Sequence, residues 1–177
     1  MSKQLLNEKD IENTLSRMSD EIINRNKDTQ NICIIGVKQR GDVLAKRIAA
    51  MIESKTNEKI GLSAIDITFY RDDVRLKAYK YASKSGNHFD VTDKHVVLVD
   101  DVIFTGRSIR AAIDAIIDSG RPQTIQLAVM IDKGHRELPI QPDYLGKKIN
   151  VTPEEDVQVM LKETDGKNQV IIKNHGK

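Results

Sequence analysis

The sequence predicts an α/β protein built on a central, mainly parallel sheet flanked by helices. Two observations carry that reading. Segments with apolar residues at helical spacing alternate with short runs rich in β-branched residues. Those runs are continuously apolar, as strands covered on both faces must be. Strands that follow one another through helices need crossover connections, and crossovers give parallel pairing. The 177 residues suit one domain, residues 1–177, with a sizeable core.

The elements follow in order. Ile11, Leu15, Met18 and Ile22 recur at helical spacing and give an opening amphipathic helix that ends near the polar stretch NRNKDTQN. ICIIGV is a buried strand. After KQRGD, a second helix carries Leu44, Ile48, Met51 and Ile52. LSAIDITFY and HVVLVDDV read as two further strands. Between them, residues 71–94 have no clear period. A third helix runs from Gly106 to Ser119 with Ile109, Ile113, Ile116 and Ile117 on one face, and Gly120 and Pro122 stop it. TIQLAVMI is the next buried strand. After Pro153, the segments VQVML, DGKN and VII suggest a closing hairpin within residues 153–173.

Composition narrows the function classes. A formal net charge of +2 neither demands nor excludes a nucleic-acid partner. Cys33 is the single cysteine and sits inside an apolar run, which excludes an internal disulfide and suits a reducing cytoplasm. No apolar segment approaches the roughly 20 residues that span a bilayer, so a cytoplasmic protein without a membrane partner is expected. The histidines are scattered, and no metal-ligand set is assigned.

The segment VVLVDDVIFTGRS concentrates the chemistry. Asp100 and Asp101 close a strand, and in open parallel sheets ligands bind at that edge. Thr105, Gly106, Arg107 and Ser108 then open a helix whose first N–H groups have no intrahelical partner. Gly106 admits an oxyanion close to the backbone, and the Thr and Ser hydroxyls add donors. GxxxxGK is absent and no GxGxxG opens a helix, so the common nucleotide cups are excluded. Adjacent carboxylates accept hydrogen bonds from vicinal hydroxyls, so a ribose 5-phosphate fits both halves. A phosphoacceptor receiver and a plain N-capped turn are the alternatives. A receiver has its acidic pair near the first strand, whereas this pair comes late.

VVLVDDVIFTGRS resembles the phosphoribosyl pyrophosphate signature of type I phosphoribosyltransferases, with Phe104 where a small residue is usual. GVKQRGDVLAKRIA, IDITFYRDD, GRPQTIQLAVMIDKGHRELPI and DYLGK are similar, in the same order, to segments of the PyrR family of pyrimidine-operon attenuators and uracil phosphoribosyltransferases. The likeness runs to about residue 150 and is weak in 74–90 and at the C-terminus.

The resemblance implies a type I phosphoribosyltransferase fold with a flexible flap over residues 71–94. It implies transfer of ribose 5-phosphate from phosphoribosyl pyrophosphate to N1 of uracil, giving UMP and pyrophosphate. Asp100 and Asp101 would stabilise the sugar; with Thr105, Gly106, Arg107 and Ser108 they would bind its ribose and 5-phosphate. Lys38, Gln39, Arg40 and Gly41 would bind pyrophosphate, and Arg71 would reach it from the flap. Mg2+ would be held largely by substrate oxygens and water. Asp132 stands where purine transferases carry a lysine, which argues against a purine base; Asp132, Lys133, Tyr144 and Leu145 would frame uracil. The family also binds pyrimidine-operon leader mRNA under control of UMP or UTP, and Arg17, Arg136, Lys147 and Lys148 are the candidates for that face. A homodimer or higher homo-oligomer is expected. Tyr79 and Tyr81, interleaved with Arg75, Lys77, Lys80 and Lys84, leave open a nucleic-acid surface in place of a flap. A pure RNA regulator and a plain salvage transferase remain as rivals to the bifunctional reading.

Overall fold

The computed structural model describes residues 2–68 and 90–173. In chain order the elements are β1 (Ser2–Leu6), α1 (Glu8–Asn26), a 3-10 turn, β2 (Ile32–Val37), α2 (Gly41–Thr56), β3 (Gly61–Ile65), β4 (His95–Ile103), α3 (Arg107–Asp118), β5 (Thr124–Asp132), β6 (Tyr144–Lys148), β7 (Asp156–Met160), α4 (Lys162–Asp165) and β8 (Gln169–Lys173).

Five strands form a parallel sheet in the order β3-β2-β4-β5-β6. The apolar runs alternate between its faces, as the period of a strand requires. Ile34, Val97, Val99, Ala128 and Met130 pack with α1 and α2, while Cys33, Ile35, Leu98, Leu127 and Val129 pack with Ile109, Ala112 and Ile116 of α3. Burying both faces makes β2 and β4 the centre of the sheet and fixes their register. Their carboxyl ends bring the loops after β2, β3 and β4 together.

A second sheet has the antiparallel order β1-β8-β7. Val157, Val159, Val170 and Ile172 join the core on the α1 and α2 side. The expected closing strands are therefore present, but α4 joins them in place of a tight DGKN turn, with Gly166 as a left-handed cap at φ 74°. β1 is an addition to the sequence reading. Four of its five residues are exposed or half-buried, and its pairing partner lies at the far end of the chain, so no local apolar signal marks it. β3 ends at Ile65, earlier than its apolar pattern suggests, because Asp66 turns back to accept the Thr68 N–H at 3.0 Å. The flap segment lies outside the described residues except for 90–94, which lead into β4. Among the described residues no helix is long and apolar enough to cross a membrane.

Candidate active site

A cleft of about 480 Å³ opens at the carboxyl edge of the sheet. Lys38, Gln39 and Arg40 come from the loop after β2, Asp66 and Thr68 from the loop after β3, and Asp100 and Asp101 from β4. Val102 and Ser108 also line a hollow of about 280 Å³ formed by residues 102–109, so the two spaces adjoin across shared walls.

Asp100 is buried, and its Oδ1 accepts the Asp101 N–H at 2.9 Å. Asp101 Oδ1 accepts the Val102 N–H at 2.8 Å. Burial pushes the Asp100 carboxyl well above the usual carboxylate range, and the neighbouring Asp101 charge adds to the rise. Burial raises Asp101 too, against the Val102 N–H and the nearby Arg40 guanidinium, which favour its charge. Two adjacent carboxyls are thus held where a cationic or hydroxyl-rich ligand would stabilise their charged form.

The hollow beyond them is the start of α3. Gly106 is its N-cap at φ 93° and has no side chain to cap with, while the hydroxyl of Thr105 accepts the Arg107 N–H at 3.3 Å, so the first turn of α3 and the Thr105–Ser108 segment form one group of donors. That loop is braced from the β5–β6 connection. Glu137 and Leu138 donate their N–H groups to the Thr105 carbonyl at 2.9 and 3.2 Å. Arg136 reaches the Phe104 carbonyl at 3.0 Å, the Ile140 carbonyl at 2.8 Å and the Asp132 carboxylate at 2.8 Å. Lys133 Nζ lies 4.4 Å from the Phe104 ring centroid and donates to the Pro153 carbonyl at 2.9 Å. The bracing fixes the loop before any ligand arrives.

The third wall is the loop after β2. A Cβ on Gly36 would stand 2.3 Å from the Asp42 Cα, and one on Gly41 would stand 2.6 Å from the Val99 carbonyl. Only glycine allows this approach, and it brings the loop against β4 beside the acidic pair. The Lys38–Gln39 peptide is cis, and Arg40 has a left-handed φ of 70°. The Arg40 guanidinium is bound in two places by Asp165 of α4, at 2.9 and 3.2 Å. That contact draws the Asp165 carboxyl far below its usual range.

The phosphoribosyl transferase domain family matches residues 1–164. The chain is 50% identical over 168 residues to the bifunctional protein PyrR of Clostridium kluyveri, covering 95% of each chain. It is 49% identical over 172 residues to PyrR of Clostridioides difficile, covering 96% of this chain and 97% of that one. The chain belongs to the phosphoribosyltransferase family, in its PyrR branch. Among solved structures it resembles the Leishmania tarentolae HGPRT-ase in complex with GMP, with a TM-score of 0.72 over 98% of both chains at 14% identity. The Trypanosoma cruzi hypoxanthine phosphoribosyltransferase gives a TM-score of 0.71 at 17% identity, over 96% of this chain and 95% of that one. At such identities the likeness is one of fold.

Several residues expected at the site of this phosphoribosyltransferase fall elsewhere. Tyr144, expected beside uracil, pairs with Ala128, four strand positions short of the Asp132–Lys148 pair at the carboxyl edge. Its hydroxyl donates to Gln126 at 2.5 Å and accepts from Asn26, which ties β6 to α1. Leu145 lies beside it and gives its carbonyl to Arg17 at 2.9 Å. Arg136, expected on the RNA face, has its side chain 13% exposed and bonded to the groups named above, as an internal brace. Asp132 and Lys133 reach the carboxyl edge, but their side chains are committed. Burial opposes charge on Asp132, yet the Arg136 guanidinium and the Gly134 N–H outweigh it and hold the carboxyl low. Arg17 pairs with Glu21 at 2.6 Å and reaches Gly146 at 3.0 Å, while Lys147 and Lys148 are exposed on the edge strand. Arg71 lies outside the described residues. Asp66, Thr68 and Asp165 were not anticipated. The loop after β3 was signalled by its place beside β2, but nothing local marks Asp165 as the partner of Arg40.

Proposed function

We propose that this protein transfers ribose 5-phosphate from phosphoribosyl pyrophosphate to uracil and also regulates pyrimidine-operon transcription by nucleotide-dependent binding to leader mRNA. The observation that carries the transferase half is that three subsites adjoin at one edge of the sheet. A glycine-opened helix start suits the 5-phosphate, an acidic pair the sugar, and a basic loop the pyrophosphate.

In the reaction the bond from C1 of the ribose to the pyrophosphate oxygen breaks, a bond to N1 of uracil forms, and the N1 proton passes to solvent. Positive charge grows on the sugar and negative charge on the leaving group. Thr105, Gly106, Arg107 and Ser108 hold the 5-phosphate. Asp100 and Asp101 accept the ribose hydroxyls and stabilise the cationic sugar. Lys38, Gln39, Arg40 and Gly41 receive the pyrophosphate, with Arg71 assigned there by resemblance. Uracil is assigned to the carboxyl end of β5 beside Asp132 and Lys133; since both side chains are bonded inward, main-chain groups would meet the base. No cluster of three or more His, Cys, Asp or Glu able to hold a metal occurs among the described residues. The acidic lining of the cleft fits Mg2+ carried mainly on substrate oxygens, where it would neutralise the departing pyrophosphate.

The regulatory half is supported by the kinship with proteins named bifunctional and by one surface. Arg17 reaches the carbonyls of Leu145 and Gly146, which sets its guanidinium beside exposed Lys147 and Lys148. UMP or UTP in the cleft strengthens RNA binding only by favouring the RNA-competent state. The test is uracil-dependent release of pyrophosphate, run beside leader-RNA binding with and without UMP. Turnover together with UMP-tightened RNA binding is expected. Turnover alone leaves a salvage enzyme, and nucleotide binding without turnover leaves a regulator.

A further inference from the structure

We propose that Asp165 is a positioning residue for the pyrophosphate subsite, holding the Arg40 guanidinium at the mouth of the cleft; the assignment rests on the transferase reading above. Asp165 grips the Nε and Nη2 groups of Arg40 at 3.2 and 2.9 Å, with its own side chain 15% exposed. Its Oδ2 also accepts the Leu161 N–H at 3.0 Å and the Thr164 hydroxyl at 2.7 Å, so the carboxylate is itself fixed. A guanidinium held at two points keeps its remaining N–H groups in a defined plane, the geometry that bidentate anion recognition needs.

Two features argue against a merely structural pair. The first is that α4 is already docked by other bonds. Arg47 of α2 binds Glu163 at 2.9 Å and Asn168 at 2.8 Å, and Asn168 binds Glu8 at 2.7 Å. Arg40 is therefore not needed to seat the C-terminal segment. The second is where Arg40 would go if released. It stands beside the Asp100–Asp101 pair and its charge is felt at Asp101. An unrestrained guanidinium there would fold onto those carboxylates and occupy them. Asp165 holds it off those carboxylates and leaves the pair open to the sugar.

The test is calorimetric titration of the full chain with inorganic pyrophosphate, and separately with UMP, in magnesium buffer. UMP carries the 5-phosphate and the ribose but no pyrophosphate. Asp165→Asn retains the shape but turns a donor toward Arg40. It should weaken pyrophosphate about tenfold, the worth of one charge-assisted bond, with UMP unchanged. In an Arg40→Lys background the same change should add nothing further. Pyrophosphate affinity that is unchanged or tighter overturns the inference, tightening being what a simple charge-repulsion role for Asp165 would give. Parallel loss of both ligands also overturns it and leaves Asp165 as a cap of α4. A wild-type chain that ignores pyrophosphate overturns the transferase reading and takes this inference with it. Should Asp165→Asn not fold, Thr164→Ala removes the hydroxyl that orients the carboxylate, together with its longer contact to the Leu161 carbonyl at 3.3 Å. Pyrophosphate should then weaken about threefold, as for one neutral hydrogen bond, and an unmoved constant would overturn the proposal.

Discussion

At the scale of single residues, the acidic pair of β4 carries the sharpest consequences. Asp101→Asn keeps the shape and removes one charge from the site of the developing cation. A loss of about 10²-fold or more in kcat is expected, comparable to removing one preorganised electrostatic partner, with UMP binding retained. Steady-state rates and a UMP titration check it; unchanged turnover would remove the sugar contact from the mechanism. The same pair predicts a trade of stability for function. Burial raises the folded-state pKa of Asp100 above its unfolded value. Its contribution is therefore full below the unfolded carboxylate range and is lost as pH rises through the folded value. Asp100→Asn removes that titration. The Tm of the variant should exceed that of the wild type at neutral pH, and the gap should close toward pH 4. Melts across that range decide it, and a gap independent of pH would show that the pair is not strained by its charge.

At the scale of elements, legibility followed locality. β2, β4 and β5 were visible because both faces are buried, which forces continuous apolar runs, and α3 because Ile109 and Ile116 share its buried face, although alanines complete that face and Ile117, expected on it, is exposed. β1 and β6 were not, since edge strands need few apolar residues and their partners are remote. The phosphate loop was legible from Thr105 to Ser108, but its support was not. Asp132 and Lys133 were expected to frame a base, and three bonds from the residues that follow them, the Arg136 guanidinium and the Glu137 and Leu138 N–H groups, go to the carbonyls of Phe104 and Thr105. Arg136 is the centre of that brace. Arg136→Ala would leave Asp132 buried without its charge partner, a loss of about 3 to 5 kcal/mol in unfolding free energy, measurable in urea. Freed of its anchor, the loop should also bind phosphoribosyl pyrophosphate more weakly. Full stability in the variant would show that the Gly134 N–H alone satisfies Asp132.

At the scale of the whole molecule, a net charge of +2 conceals an uneven surface. Cations are paired at many places: Arg25 with Asp143, Arg47 with Glu163 and Lys55 with Asp20. At the corner where α1 meets β6 the balance differs. Lys147 and Lys148 project from the edge of the parallel sheet next to Arg17, which pairs with Glu21. RNA affinity built on phosphate contacts falls with salt in proportion to the phosphates neutralised. If this corner holds the leader, Lys147→Ala with Lys148→Ala should weaken binding at low salt. It should also flatten the plot of log affinity against log salt by about 1.4 units, the value for two contacts on single-stranded RNA. Uracil turnover is measured beside it, since Lys148 pairs with Asp132 at the edge assigned to the base. The slope is the decisive quantity. A weakened complex with an unaltered slope means that the substitutions disturbed the protein and that the RNA lies elsewhere. A flattened slope with unchanged turnover separates the RNA face from the transferase cleft. UMP then has to act between them through the sheet, since β6 and β5 pair from Ala128 and Tyr144 to Asp132 and Lys148, at the carboxyl edge itself.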